Sequence, residues 1–290
     1  GLSIIFDLFS GHYITDSGDT IYVALNDNLS VKAFPAPTTA SWPSGTPEWS
    51  TSGDEWFSSR VSGVGEEKSV DTSKMEDGFE IIATCGSSEK RITVAIFECK
   101  FIAYADAPLG GGPVGITGIL NKSLTVGHAF WELRVSDFAL SYLKGSELST
   151  YGNYVNRRYG FYPAFSDFFV TQSGNGVLGN DDSHSYDSSK EYEISYENLK
   201  NGLAATKALA SSPGTYTLGT RIKVTDLTTG AILVDFSSGA DRNCATVCRS
   251  IASQSGVSLP SAQIANWTKD ADNLRLLYSG NCPYILNQNL

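Results

Sequence analysis

The stretch that decides the reading of this chain is "ADRNCATVCRSI", residues 240–251. Apolar positions at 244, 247, 248, 251 and 252 recur at helical spacing, and Gly256 stands where a helix ends on a left-handed glycine. The spacing predicts a helix starting near Asn243, with Cys244 in its first turn. Free backbone N–H groups and the positive end of the helix dipole lower a thiol's pKa there, and the thiolate is the reactive form. Cys248 lies one turn deeper, beside Val247, Ile251 and Ala252, where a thiol is buried and inert.

Other uses of the cysteine pair fit less well. Residues i and i+4 of a helix are about 6 Å apart at Cα, but their Cβ atoms lie side by side, a poor geometry for a disulfide. A bridge from Cys248 to Cys282 stays open. Zinc sites usually show two close ligand pairs, and the remaining candidates His128, His184 and Cys282 form none. Neither a metal nor another cofactor is expected. A nucleophile also needs a base. Of three histidines, His12 lies in the apolar lead-in of residues 1–16 and His184 in the polar loop "DDSHSYD". His128 begins the strand "GHAFWEL", just after Gly127, where another backbone or a substrate can come close.

The rest of the chain sets the frame. With 290 residues, 41% hydrophobic and 18% charged, it is globular, and no apolar run approaches the roughly 20 residues of a membrane span. A net charge of −10 argues against a nucleic-acid binder. The charge is uneven: residues 1–105 hold 15 acidic and 7 basic side chains, residues 106–290 hold 16 and 14. That asymmetry predicts two bodies, 1–105 and 106–290. Few lysines and abundant Ser, Thr, Gly and Asn suit an extracytoplasmic protein: secreted, periplasmic or at the cell surface. No signal peptide is visible in a chain that starts with Gly.

Residues 17–104 read as short strands between turn clusters, an antiparallel sandwich. "AFPAP", "WPSGTPEWS" and "IIATCGSSEKRITVAI" resemble bacterial Ig-like modules, which implies a surface partner for this part. Cys85 and Cys99 read as small buried hydrophobes. "ADAPLGGGPVGITGILN", residues 105–121, reads as a connection, and lacks the Lys-Ser/Thr and helix of a phosphate loop. Beyond it, strands and helices mix in an α+β order. A helix is capped by Ser195, "TRIKVTDLTTGAILVDF" is a hairpin, and a last helix is expected within "SAQIANWTKDADNLRLLYSG", with Trp267 packing on it.

"VGHAFWEL", "YGFYP" and "NCATVCRSIASQSGVSLP", in that order, resemble the circularly permuted papain-like cysteine peptidases, relatives of the NlpC-type cell-wall amidases. In permuted members the histidine strand precedes the cysteine helix, as His128 precedes Cys244 here. The resemblance spans roughly residues 122–265 and implies a hydrolase with Cys244 as nucleophile, His128 as general base and the Cys244 N–H in the oxyanion hole. Its substrates would be amide bonds of bacterial cell-wall (peptidoglycan) peptides. For the third residue the family uses the strand after the histidine strand, here "RYGFYPAF", which offers Tyr159. Glu132 shares a strand face with His128, and Asp182 and His184 can reach in from their loop. Tyr216 in "GTYTL" is the match to a tyrosine usual upstream of the nucleophile. Two other readings are a non-catalytic adhesion protein on a degenerate papain-like domain and another acyl-transfer enzyme on the same scaffold.

Overall fold

The computed structural model describes residues 3–8, 12–14, 18, 20–52, 61, 63–108, 127–143, 147–164 and 173–290. Most of the expected connection at 105–121, and the first residues of the histidine strand, lie outside them. The described residues are mostly β-sheet with four α-helices. It divides into two compact units, Gly1–Cys99 with Val135–Ser146, and Lys100–Arg134 with Glu147–Leu290. None of the described helices is long and apolar enough to cross a membrane.

The first unit is β-rich. It carries β1 (Ser3–Leu8), β2 (His12–Ile14), β3 (Thr20–Ala24), β4 (Leu29–Ala36), β5 (Glu48–Ser52), β6 (Gly63–Val64), β7 (Glu67–Val70), β8 (Glu76–Cys85), β9 (Ser88–Phe97) and a short helix α1 (Ala139–Leu143). Two sheets form, in the orders β2-β1-β4-β7 and β3-β9-β8-β5-β6. Alternation decides which side is buried: Leu29, Val31 and Ala33 of β4 turn inward with Ile81, Ala83, Ile92, Val94 and Trp49 of the other sheet to make one core. One pairing departs from the antiparallel expectation. β3 runs parallel to β9, Thr20 opposite Thr93, because many residues separate them and no hairpin joins them. Cys85 and Cys99 are buried free thiols.

The second unit is α+β. It contains β10 (Cys99–Ala105), β11 (Ala129–Val135), β12 (Arg158–Pro163), β13 (Ser173–Asn180), β14 (Ser188–Glu193), α2 (Tyr196–Ser211), β15 (Thr215–Thr217), β16 (Arg221–Asp226), β17 (Ile232–Ser237), α3 (Cys244–Gln254), β18 (Gln263–Ala271), β19 (Leu274–Asn281) and α4 (Pro283–Asn289). A six-stranded sheet has the order β14-β10-β11-β12-β13-β15. β10, on the N-terminal side of the boundary drawn at residue 105, lies in this sheet. Helix α2 starts on Ser195, whose hydroxyl accepts the Asn198 N–H at 3.1 Å, and Trp131 Nε1 of β11 donates to its Thr206 hydroxyl at 3.1 Å. α3 is tied to the same strand by Cys248, whose thiol faces the Phe130 carbonyl at 3.6 Å.

The segment expected to be a last helix is instead the hairpin β18–β19, part of a four-stranded sheet β17-β16-β19-β18. Its turn, Asp272–Asn273, has both residues at positive φ, +52° and +61°, the two-residue turn that matches the twist of paired strands. Leu274, Leu276 and Tyr278 are buried while Arg275 is exposed, a period of two that a helix does not produce. Trp267 therefore sits on a strand, opposite Tyr278, and not on a helix.

Candidate active site

The start of α3 is fixed by its own residues. Asn243, buried, accepts the N–H groups of Ala245 at 3.0 Å and Thr246 at 3.2 Å, and the Thr246 hydroxyl accepts the Asn243 N–H at 2.8 Å. The Asn243 amide also donates to the carbonyls of Leu218 at 2.8 Å and Asn281 at 2.7 Å, locking the helix mouth onto neighbouring loops. Asn243 thereby consumes the second and third N–H groups of the helix. The N–H of Cys244 is left without an acceptor among the described residues.

His128 reaches this thiol from the start of β11. Its imidazole lies within electrostatic range of the Cys244 side chain, and its Nε2 lies 3.0 Å from Asp181 Oδ2. With Nε2 held by the carboxylate, Nδ1 is the ring nitrogen left for sulfur. Burial pulls the His128 pKa down, but the hydrogen bonds to Asp181 and Cys244 and their charges outweigh it, and the pKa is pushed up to about 10. Thiol, imidazole and carboxylate stand in the order that a nucleophile–base–orienter series requires. All three are buried.

The surroundings hold this geometry. The Tyr162 hydroxyl donates to Asp181 Oδ1, and its ring packs 4.4 Å from the His128 ring. Asp106 Oδ1 accepts the His128 backbone N–H, while Asp106 Oδ2 lies 3.1 Å from His184 Nε2. The His184 ring meets the His128 ring edge-on at 5.0 Å. A Cβ at Gly160, on β12 between these groups, would overlap Asp181 Oδ2 and His128 Nε2, so the pair can close only over a residue without a side chain. On the other side, the buried Tyr216 lies within electrostatic range of Cys244, and burial followed by the sulfur's charge raises its pKa well above the usual phenol range. Tyr216 stays protonated and can donate to a thiolate. Burial likewise raises the Cys248 thiol far above its ordinary value, which leaves it unreactive.

Four of the expected residues meet here: Cys244, His128 and Tyr216 in contact, with His184 beside them. Three do not. Glu132 accepts from Tyr104 at 2.7 Å and from Arg134 at 2.8 Å, because its strand face turns it toward that cluster. Tyr159 donates to the Asn153 carbonyl at 2.8 Å. Asp182 pairs with Arg157 at 2.7 Å and with the Arg158 N–H at 2.9 Å. The third polar group is Asp181, which follows β13 one residue before Asp182. A signal for it existed in the pairing of β13 with β12: Asn180 lies opposite Tyr159, and the Asp181 N–H bonds the Arg158 carbonyl at 2.8 Å, at the level of the histidine. Cys248 and Cys282 are free thiols, not bridged. No protein-family model and no curated protein in the comparisons matches this chain.

Proposed function

We propose that the chain is a cysteine-dependent amide hydrolase acting extracytoplasmically on bacterial cell-wall peptides, on a permuted papain-like domain that follows an Ig-like domain. The observation that carries this is the buried His128 imidazole held 3.0 Å from Asp181 and within electrostatic range of Cys244, with Cys244 at a helix mouth. The order of the two elements, base strand before nucleophile helix, supports the permuted arrangement. In this reading the Cys244 thiolate attacks the scissile carbonyl and the oxyanion settles on the Cys244 N–H. The His128 imidazolium then gives its proton to the departing amine nitrogen, leaving a thioester. Water, deprotonated by His128, attacks the thioester and releases the carboxylic acid and the thiol. Tyr216 stabilises the thiolate, and Asp181 orients the imidazole.

Purified protein incubated with peptidoglycan tests this. Release of free amino groups is expected, and Cys244→Ala abolishes it. Iodoacetamide is expected to label Cys244 ahead of the other four thiols. The 2% exposure of Cys244 favours a second reading, a binding module in which the couple is a closed structural pair. A Cys244 no faster to alkylate than Cys248 would decide for that one.

A further inference from the structure

His128 stands one residue outside its strand. β11 begins at Ala129, and a side chain holds the main chain before it: Asp106 Oδ1 accepts the His128 N–H, and the Asp106 N–H donates to the His128 carbonyl at 2.9 Å. Gly127 makes that approach possible. It has φ +72°, and a Cβ there would overlap the Asp106 carbonyl. The second Asp106 oxygen, Oδ2, lies 3.1 Å from His184 Nε2, and among the described residues no lysine or arginine pairs with this carboxylate. A carboxylate held by one oxygen swings easily about its Cβ–Cγ bond, whereas one held at both is fixed.

His184 is placed in turn by its own loop. Its N–H donates to the Asp181 carbonyl at 2.9 Å, its Nδ1 lies 4.0 Å from Asp181 Oδ1, and its ring meets Phe130 edge-on at 5.3 Å. Asp187 closes the loop: its N–H donates to the Ala105 carbonyl at 3.0 Å, and its Oδ2 accepts the Ala107 N–H at 2.8 Å. Asp106 after β10, Asp181 after β13 and His128 before β11 are the titratable groups that contact the His184 ring among the described residues. One short loop, 181–187, thus serves both holds on the base. Asp181 takes the ring at Nε2, and His184 fixes the acid that takes the main chain.

We infer that His184 is a positioning residue for the base: through Asp106 it holds His128 by its main chain, as Asp181 holds it by its ring. This rests on the nucleophile reading above and deepens it.

The rate of Cys244 alkylation by iodoacetamide, located by peptide mapping and followed as a function of pH, tests it. The readout is the pH of half-maximal rate, which depends on how well the imidazolium faces the sulfur, and not the plateau, which any loosening of the fold changes. In His184→Ala this midpoint is expected to rise by about one unit, the low end of what a charge at close range does to its neighbour. His184→Gln keeps an N–H at the reach of Nε2 and is expected to return the wild-type midpoint. His184→Asn, whose amide stops short of Asp106, is expected to match His184→Ala, and carries the comparison if that variant does not fold. His128→Ala sets the scale with a larger rise. Circular dichroism of each variant checks the fold. A wild-type midpoint in His184→Ala and His184→Asn, or a rise in His184→Gln equal to theirs, overturns the positioning role and leaves the nucleophile and base standing. A midpoint that His128→Ala does not move overturns both.

Discussion

Asp181 is the residue on which the base depends. It holds the His128 ring with one oxygen and the Tyr162 hydroxyl with the other. Asp181→Asn keeps the shape but removes the charge. Hydrolysis is expected to fall by about 10²–10⁴-fold, the usual range for a general base deprived of its orientation. The His128 pKa, raised from 6.5 to about 10 in the folded chain, is expected to drop in that variant. The sign of the stability effect follows. A folded-state pKa above the unfolded one stabilises fully below pH 6.5, and this contribution is lost as the pH rises from there through about 10. A fall in Tm across that window in the wild type, and a flatter profile in Asp181→Asn, would check it. At Gly160 the expectation is steric. Gly160→Ala drives a methyl between Asp181 and His128, so activity is lost while stability falls by about 1–3 kcal/mol. Activity within twofold of wild type would contradict the close approach.

Among the elements, α3 is the one whose start does chemical work. Asn243→Ala removes the cap and one hydrogen bond to each of the Leu218 and Asn281 carbonyls, which the Tyr278 hydroxyl also approaches, at 3.1 and 2.8 Å. The cap is worth about 1 kcal/mol and each of the two lost hydrogen bonds about 0.5–1.5, so a loss of about 2–4 kcal/mol is expected. Thermal unfolding reads this as a fall of about 2–4 °C per kcal/mol. This helix was legible from sequence because its signals are local: Asn243 before the apolar period, and Gly256, at φ +72°, after it. The hairpin β18–β19 was not, since "DADN" reads as polar filler until both turn residues are known to have positive φ. Asp181 was hidden for a different reason. Which of two adjacent acids faces the histidine is a matter of strand register, and register is set by long-range pairing with β12. Glu132 illustrates the converse. Its strand face carries it to Tyr104 and Arg134 and away from the thiol.

For the whole molecule, all five cysteines are free and buried. A bridge would typically add about 2–4 kcal/mol, so Tm is expected to be the same with and without reductant. A drop in Tm on adding reductant would reveal a disulfide that the fold does not contain. Burial also separates the thiols by function. Cys99 and Cys248 are pushed far above their ordinary pKa by loss of solvent, and Cys282, for the same reason first, to about 11.

The contact between Cys248 and the Phe130 carbonyl joins residues 118 positions apart. During synthesis at about 5–20 residues per second, the histidine strand leaves the ribosome roughly 6–24 s before the cysteine helix follows it. A nascent or prematurely terminated chain therefore carries the imidazole and its carboxylate without Cys244. The couple comes into existence only when α3 docks on β11, so the reactive state arrives together with the packing that encloses it. Under the proposed function the order of the two elements acts as a timing device, since a chain released before residue 244 lacks the nucleophile.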